Sequence, residues 1–360
     1  MRAGNFPVKT GSCTLKEQPR AVPTDRMPAV AADDPMRCNP RHRTVNWRVA
    51  LLPAIALATA QPALGWNDFG HMVVAAAAYE RLTPRARTES ARLLRLNPDY
   101  PGWVRGQSMA RRDEVAFMRA ATWADVIKHS PDYADDGERP SGPEADRNSG
   151  YSDHLQHRYW HFIDLPFSPD GTALPPIPEP NAVTRIQAFR AVLRDPAADA
   201  ALRSYDLVWL LHLVGDLHQP LHAVSRFTRD LPGGDAGGNL VRLCQPPCRE
   251  ELHALWDAAA GSERSPAAAQ RLARELPAVA VAAASVGDPA AWARESLRLA
   301  EREVYAPLGP GPGPGPYRLT RAYRARARLI ARQRIALAGA RLARLLNAAF
   351  SRPAAPRAAP

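Results

Sequence analysis

Two histidine–aspartate pairs constrain this chain more than any other feature. His212 and Asp216 form one His-x3-Asp motif, and His253 and Asp257 form a second. Residues four apart lie on the same side of an α-helix, so each motif places an imidazole and a carboxylate on one face of the helix. The first motif lies in an apolar segment, where burying such groups is costly unless they pair or bind a cation. Together with His222, which follows a helix-ending Gln-Pro, the motifs predict a helical site for more than one metal ion, and zinc suits these ligands.

The rest of the sequence is typical of an all-α protein. Its 360 residues, 46% of them hydrophobic, can form one large core or two smaller ones. Alanine and arginine are abundant and runs of β-branched residues are scarce, which favours helix over sheet. Periodicity predicts helices over 70–82, 84–96, 113–128, 182–193, 197–217, 250–260, 265–276, 289–305 and 317–350. We therefore expect one all-α domain over 66–350, followed by a disordered tail over 351–360.

The amino-terminal segment has the composition of an export signal. A basic stretch precedes Val49–Ala60, which is apolar, too short to span a bilayer and suited to a signal peptide. We predict a signal peptide over 36–65, beginning at Met36. Residues 1–35 are expected to be disordered, or to be an extension upstream of the true start. The mature protein would then be secreted or periplasmic and would have no membrane span.

Two cleavage sites compete at the end of this signal peptide. Small residues permit cleavage after Ala60 or after Gly65. Cleavage after Gly65 would make Trp66 the first residue of the mature chain. The choice matters because the third metal site, described below, uses that amino terminus.

Cys244 and Cys248 are the only cysteines that follow the predicted signal peptide. In an oxidising compartment, their C-x3-C spacing predicts a small disulfide that pins a loop tip. A pair of free thiols is the alternative. A zinc ribbon is excluded because it needs a second cysteine pair.

A series of motifs in a fixed order resembles the zinc-dependent single-strand-specific nucleases, the S1/P1 nuclease family. They cover residues 66–350. The motifs are Trp66-Asn-Asp-Phe-Gly-His71, Trp-Ala-Asp125, Trp-His161-Phe, His212-x3-Asp216, Gln-Pro-Leu-His222, Gly-Gly-Asn239, His253-x3-Asp257 and Ala338–Asn347. Since no Asn-x-Ser/Thr sequon follows residue 66, we expect a bacterial-type member of that family.

This resemblance implies three zinc ions in a cleft of a helical fold that is shared with zinc-dependent phospholipase C. By motif, the first zinc takes Asp125, His161, His212 and Asp216. The second takes His222, His253 and Asp257. The third takes His71, Asp216 and the backbone amine and carbonyl oxygen of Trp66. Asp216 would thus bridge two zinc ions.

The implied activity is hydrolysis of single-stranded DNA and RNA to 5′-phosphorylated products, with 3′-nucleotidase activity. A close zinc pair lowers the pKa of a shared water from ~16 toward ~7, which supplies a bridging hydroxide as the nucleophile. Asp125 and Asp216 are the expected catalytic carboxylates of this centre. Of the net charge of +11, residues 1–65 contribute +5, and the modest balance of about +6 that remains suits a polyanionic substrate, although a solvated arginine-rich surface accounts for it nearly as well.

Four residues are candidates for substrate binding. By position, Phe162 resembles the family's base-stacking residue and Asp164 its base-edge acceptor, although Phe162 could be plain core. Lys128 could contact phosphate or be a solvated lysine at a helix end. Asn239 could touch substrate or set a turn. The polar loop 130–157 is outside the motif set.

The remaining histidines and tryptophans are expected to support the site or to lie outside it. We expect a structural role for His218. We expect positions at the solvent or substrate edge for His129, His154 and His157. An apolar layer around the ligands is expected from Trp123, Trp160, Trp209 and Trp256.

Two alternatives to a nuclease remain at this point. The first is a phospholipase C-type phosphodiesterase on the same scaffold. The second is a non-catalytic protein that binds nucleic acid through structural zinc. Structural zinc sites are usually cysteine-rich and closed, whereas this ligand set contains only His and Asp side chains. No stable protein partner is implied.

Replacing the bridging carboxylate tests the predicted ligand set. We expect Asp216→Asn to remove two zinc ions and nearly all activity, because one carboxylate serves both ions. Elemental analysis of the purified variant measures this. Retention of all three zinc ions would refute the bridging role.

Overall fold

The structure of the protein is a computed structural model, which describes residues 65–245, 247, 249–309 and 313–351. The predicted signal peptide (except Gly65), the upstream extension and most of the predicted tail lie outside the described residues. Cys248 also lies outside them, so the disulfide with Cys244 stays a prediction.

The secondary structure is mostly helical, with very little strand, which confirms the predicted all-α class. The helices are α1 (Asp68–Tyr79), α2 (Pro84–Leu94), α3 (Tyr100–Trp103), α4 (Arg112–Ala120), α5 (Trp123–Val126), α6 (Ala182–Arg194), α7 (Ala200–Asp216), α8 (Leu252–Asp257), α9 (Pro266–Arg274), α10 (Val281–Ser285), α11 (Pro289–Leu299) and α12 (Arg321–Ala349). A π-helical turn, Ala300–Tyr305, continues α11. Two short parallel strands, β1 (Pro166–Phe167) and β2 (Ser225–Arg226), pair with each other. In the described part of the chain, no helix is both long and apolar enough to cross a membrane.

Side-chain caps set where several helices begin. The Asn67 side chain accepts the Gly70 N–H at the start of α1. Thr83 caps α2, and Pro84 occupies its first position, where no N–H is needed. Asn181 and Thr184 form a reciprocal capping box that starts α6. These local signals explain why the predicted and observed starts agree closely.

Helix α1 lies at the centre of the packing. It contacts α4, α9 and α12, and nearly all of its residues are buried. Small side chains permit this close approach, since a Cβ added at Gly339 of α12 would lie 2.7 Å from the Cβ of Ala77. Helices α6 and α7 pack on each other beside this group. The arrangement holds His71, on α1, next to the end of α7.

The helix predicted over 113–128 is interrupted at Ala121 and Thr122. The Thr122 hydroxyl donates to the Arg119 carbonyl, an arrangement that competes with regular helical bonding. The Ala121 carbonyl instead accepts a hydrogen bond from Nδ1 of His212, at 2.7 Å. The break therefore starts a new short helix, α5, and provides a backbone acceptor for the site.

His157 is buried, so the expectation that it lies at a solvent or substrate edge is wrong. Its ring nitrogens lie 3.1 Å from the carboxylates of Asp136 and Asp153. Its imidazole stacks on Trp160 with ring centroids 3.5 Å apart. The residue adopts a left-handed φ of 48°, a conformation that non-glycine residues rarely hold without such support. His157 thus ties the loop 130–157 to the core.

The charge on His157 makes this attachment pH-dependent. Burial by itself lowers the pKa of His157, but hydrogen bonds and charge attraction from Asp136 and Asp153 outweigh burial and raise it. A raised pKa means that the stabilisation is fully present below the unfolded pKa of about 6.5 and is lost as pH rises through the folded value.

We therefore expect His157→Gln to lower the free energy of unfolding by about 1.5–3 kcal/mol at pH 6, where hydrogen bonds to charged groups are lost. The difference from the unsubstituted protein should shrink at pH 9. Chemical denaturation of both proteins at the two pH values measures it. A difference that stays constant or grows with pH would contradict the ion-pair account.

Candidate metal centre and adjoining cavity

The side chains predicted as metal ligands converge in one buried cluster. They come from helices α1, α5, α7 and α8 and from two 3-10 turns. Each is at most 5% exposed: His71, Asp125, His161, His212, Asp216, His222, His253 and Asp257. Burial of this many polar groups needs compensation by pairing or by a cation.

Asp216 lies between two sets of histidines. Its Oδ2 is 3.1 Å from both Nδ1 of His161 and Nε2 of His212. Its Oδ1 is 3.2 Å from Nε2 of His71. Donor atoms bound to one tetrahedral zinc lie roughly 3.3 Å apart, given bonds of about 2.0–2.2 Å. The two carboxylate oxygens of Asp216 therefore face different histidines, at distances close to those between the ligands of one ion.

Asp125 lies near the set that contains His161 and His212. Its Oδ1 lies 3.6 Å from Nε2 of His212 and 3.8 Å from Nδ1 of His161. Lys128 is buried and lies 2.9 Å from the same oxygen. The alternative of a solvated Lys128 is therefore wrong. A buried ammonium group beside Asp125 adds positive charge at the edge of the cluster.

A second group of ligands lies at the other end of the cluster. Nε2 of His222 and Nε2 of His253 are 2.9 Å apart. Asp257 Oδ2 lies 3.5 Å from Nε2 of His253, while Asp257 Oδ1 accepts a 2.7 Å hydrogen bond from the Gln219 amide. Two nitrogens and one oxygen would leave a further position open on a tetrahedral ion, which is the pattern of catalytic sites.

Backbone carbonyls set the tautomers of three ligand histidines. Nδ1 of His212 donates to Ala121, Nδ1 of His222 donates to the carbonyl of His161, and Nδ1 of His253 donates to Gly237, at distances of 2.7, 2.9 and 2.7 Å. The lone pair of each ring is then on Nε2, which faces the cluster. The facing lone pairs of His222 and His253 repel each other unless a cation lies between them. The donor set therefore fits a divalent metal.

The protonation tendencies of the cluster agree with this interpretation. Burial, and then the Lys128 ammonium, lower the pKa of His161 to about 3, so this ring is neutral. Burial raises the pKa of Asp257 well above its ordinary value, and the hydrogen bond from Gln219 only partly opposes it. A nearby cation would restore ionisation of Asp257.

Tryptophans surround the ligands, as predicted. The Trp209 ring lies 5.4 Å from the His161 ring and 5.1 Å from Trp160. Trp123 packs edge-on against Trp209 at 6.1 Å. Trp256 donates its indole N–H to the Tyr323 hydroxyl. This layer excludes water from the back of the cluster and fixes the imidazole orientations.

His218 has the structural role that the sequence predicts. Its Nδ1 donates to the Val214 carbonyl at 2.7 Å, and its Nε2 lies 3.0 Å from Nη1 of Arg341. Glu295 pairs with the same arginine. His218 therefore braces the end of α7 from the side away from the ligands.

The backbone before Trp66 lies against the His71–Asp216 pair. A Cβ added at Gly65 would lie 1.7 Å from Asp216 Oδ1 and 2.9 Å from Nε2 of His71. Trp66 itself is fully buried. In the unprocessed chain, residue 65 thus occupies the region in which the third metal is predicted.

A cavity of about 300 Å³ adjoins His253. It is lined by Phe162, Asp164 and Asn239, which brings three of the predicted substrate residues together. Burial, and then the charge of Asp235, raise the pKa of Asp164 to about 6. Asn239 also donates to the Ala236 carbonyl at 2.7 Å, so it both lines the cavity and braces a turn.

Sequence reasoning missed several residues around the cluster. Glu138 and Arg139, from the polar loop 130–157, line the same cavity as Phe162. A second cavity of about 280 Å³ touches Asp125 and includes Arg264, and it also includes His129, which was expected at such an edge. Only tertiary packing brings these loops to the cluster, and loop composition alone gives no signal of it.

Comparison with known proteins agrees with the resemblance that the sequence motifs indicate. A family model described as S1/P1 Nuclease matches residues 66–351. Nuclease S1 of Aspergillus oryzae is 27% identical over 217 residues, which cover 58% of this chain and 59% of that protein. The chain thus spans about three fifths of the length of this curated relative.

Removing divalent metal tests whether the cluster holds cations. We expect a strong chelator to lower the thermal unfolding midpoint by several degrees, because a site held at 1,000 times its Kd adds about 4 kcal/mol of stability. Differential scanning calorimetry measures the change. The control is the same chelator saturated with zinc, and equal midpoints in the two conditions would contradict metal binding.

Proposed function

Since the chain belongs to the S1/P1 nuclease family, we propose that it is a zinc-dependent hydrolase of single-stranded DNA and RNA. The proposed products carry 5′-phosphates, and 3′-nucleotides are further substrates. The placement of Asp216 between two histidine sets supports this proposal most directly, since each oxygen faces a different set. Such a shared carboxylate suits a multinuclear catalytic centre rather than isolated structural ions.

We propose three zinc ions, with the ligands that the motifs imply. The distances among His161, His212 and Asp216 support one site, with Asp125 as its fourth ligand. His222, His253 and Asp257 support a second site. The proposed ligands of the third site are His71, Asp216 and the backbone of Trp66, and the 3.2 Å contact between His71 and Asp216 supports it. When bound, zinc supplies Lewis acidity, neutralises phosphate charge and lowers the pKa of water.

The residues of the chain then orient the substrate around this centre. The Lys128 ammonium, 2.9 Å from Asp125, balances the carboxylate charge and favours a phosphate nearby. The Phe162 ring offers a stacking surface, and the Asp164 carboxylate offers an acceptor for a base edge. Bases are free to stack on a protein ring only where they are not paired in a duplex, which explains a preference for single strands.

Phospholipase C-type hydrolysis is the second candidate, because the helical fold is shared. The position of Phe162, Asp164 and Asn239 in one cavity beside His253 favours the nuclease, since the cavity combines an aromatic surface with groups that bind a base edge.

A substrate comparison tests the proposed function. Purified, processed protein should release acid-soluble nucleotides from single-stranded DNA and RNA and should release phosphate from 3′-nucleotides. It should act far less on duplex DNA. Release of phosphocholine from lipid vesicles, without any release of nucleotides, would overturn the proposal.

Removing the stacking surface should weaken substrate binding selectively. We expect Phe162→Ala to raise KM for single-stranded DNA about 5- to 150-fold, which corresponds to ~1–3 kcal/mol of stacking. The kcat should change much less, because the ring does not hold a metal. Phe162→Tyr, which keeps the ring, is the matched control. An unchanged KM in Phe162→Ala would exclude base stacking at this residue.

We also propose that the protein is exported and that cleavage after Gly65 completes the third metal site. The domain then begins at Trp66, whose amine becomes available once the preceding backbone is removed from the His71–Asp216 pair. We expect secreted protein that begins at Trp66 to hold three zinc ions. The control carries an uncleavable extension that ends in Gly65 and should hold fewer. Amino-terminal sequencing with elemental analysis decides this, and three ions in the extended form would refute the dependence on cleavage.

A further inference from the structure

We propose that Asp235 is a positioning residue that holds a glycine-rich loop, Gly233–Asn239, against both His253 and the cavity beside it. The consequence is that binding of a nucleoside and retention of the metal at His222, His253 and Asp257 assist each other. This inference rests on the proposed function, because it takes these ligands to hold a metal and the cavity to bind a base.

The glycine-rich loop has a backbone conformation that few sequences allow. Gly234, Ala236, Gly237 and Gly238 have positive φ values of 86°, 50°, 60° and 84°. A Cβ at Gly237 would lie 2.4 Å from the Leu221 carbonyl oxygen, so the loop lies directly against the chain that carries His222. Glycine adopts positive φ readily, but the left-handed conformation of Ala236 persists only when surrounding contacts hold it.

Asp235 supplies those contacts from inside the protein. Its side chain is fully buried. Its Oδ1 accepts the Arg226 backbone N–H at 2.9 Å, and its Oδ2 lies 3.5 Å from Nε of the same arginine. Its carbonyl accepts the N–H groups of Gly238 and Leu240, each at 3.1 Å. The Arg226 guanidinium in turn lies 4.8 Å from the centre of the Tyr305 ring.

The loop connects this buried anchor to a metal ligand. The Gly237 carbonyl accepts the Nδ1–H of His253 at 2.7 Å, and this hydrogen bond directs Nε2 toward His222. If the loop moved, the carbonyl would move with it and the imidazole could rotate away from the metal. Partners of this kind commonly change metal affinity 10- to 100-fold when they are removed.

The same loop forms one wall of the base cavity. Ala236, Gly237 and Asn239 line it together with Phe162 and Asp164. A nucleoside that fills the cavity therefore contacts the backbone that orients His253, and it stabilises the loop in the conformation that binds metal. By linkage, metal at His253 must favour nucleoside binding by the same factor.

The first experiment compares two amide substitutions of buried carboxylates. Asp235→Asn places an N–H donor against Arg226 and removes the charge that anchors the loop. Asp206→Asn is the matched control, because Asp206 is equally buried and accepts from Asn148 away from the metal ligands. Zinc is titrated against a competing chelator in each processed protein.

We expect Asp235→Asn to bind one zinc ion 10- to 100-fold more weakly and to bind the other zinc ions with unchanged affinity. We expect no change in zinc affinity in Asp206→Asn. Equal zinc affinities in all three proteins would overturn the inference.

The second experiment needs no substitution at Asp235. Adenosine has no phosphate with which to bind a metal directly, so it probes the cavity alone. We expect saturating adenosine to strengthen the binding of one zinc at least 5-fold in the unsubstituted protein, and we expect no effect in Phe162→Ala. Adenosine that binds without changing zinc affinity would overturn the inference and leave the proposed function intact. Unsubstituted protein that binds no zinc at these residues would overturn both.

Discussion

The cost of burying Asp216 organises this structure. A carboxylate at the end of an apolar helix loses its hydration, and neutral histidines alone cannot replace it. The protein surrounds Asp216 with His71, His161 and His212, and the proposed cations would compensate for the buried charge. The surrounding tryptophans raise the free-energy cost of this buried charge, because they keep water away and lower the local dielectric constant. Several neighbouring features, including the break before α5, serve to complete that arrangement.

Short-range spacing made much of the fold and the two His-x3-Asp pairs predictable, whereas the resemblance to the family supplied the ligands Asp125, His161 and His71. The i, i+4 motifs, the helix caps and the helix-stopping prolines are properties of a few consecutive residues, and they placed α1, α7 and most other helices within a few residues. What could not be predicted were contacts made across the chain. The carbonyls of Ala121 and Gly237 that orient His212 and His253 carry no side-chain signature.

The contacts of His157 also could not be predicted from the sequence alone. Asp153 lies four residues before it, a spacing like that of the ligand pairs, but Asp136 is contributed by a distant part of the loop. Only the folded loop shows that both carboxylates meet one imidazole. The residues Glu138 and Arg139 reach the cavity beside His253 through the same loop, so a histidine outside the ligand cluster helps to hold residues that line this cavity.

The packing of Gly339 against Ala77 has a consequence for the order of assembly. Helix α1 carries His71 near the amino terminus, yet one of its sides is covered by α12, the last helix of the described residues. Chains are synthesised from the amino terminus, so early segments wait for later ones before their core is complete. His71, the first of the predicted ligand side chains to be synthesised, is thus fixed in place only when nearly the whole chain is available. Partly made chains therefore lack the complete ligand cluster.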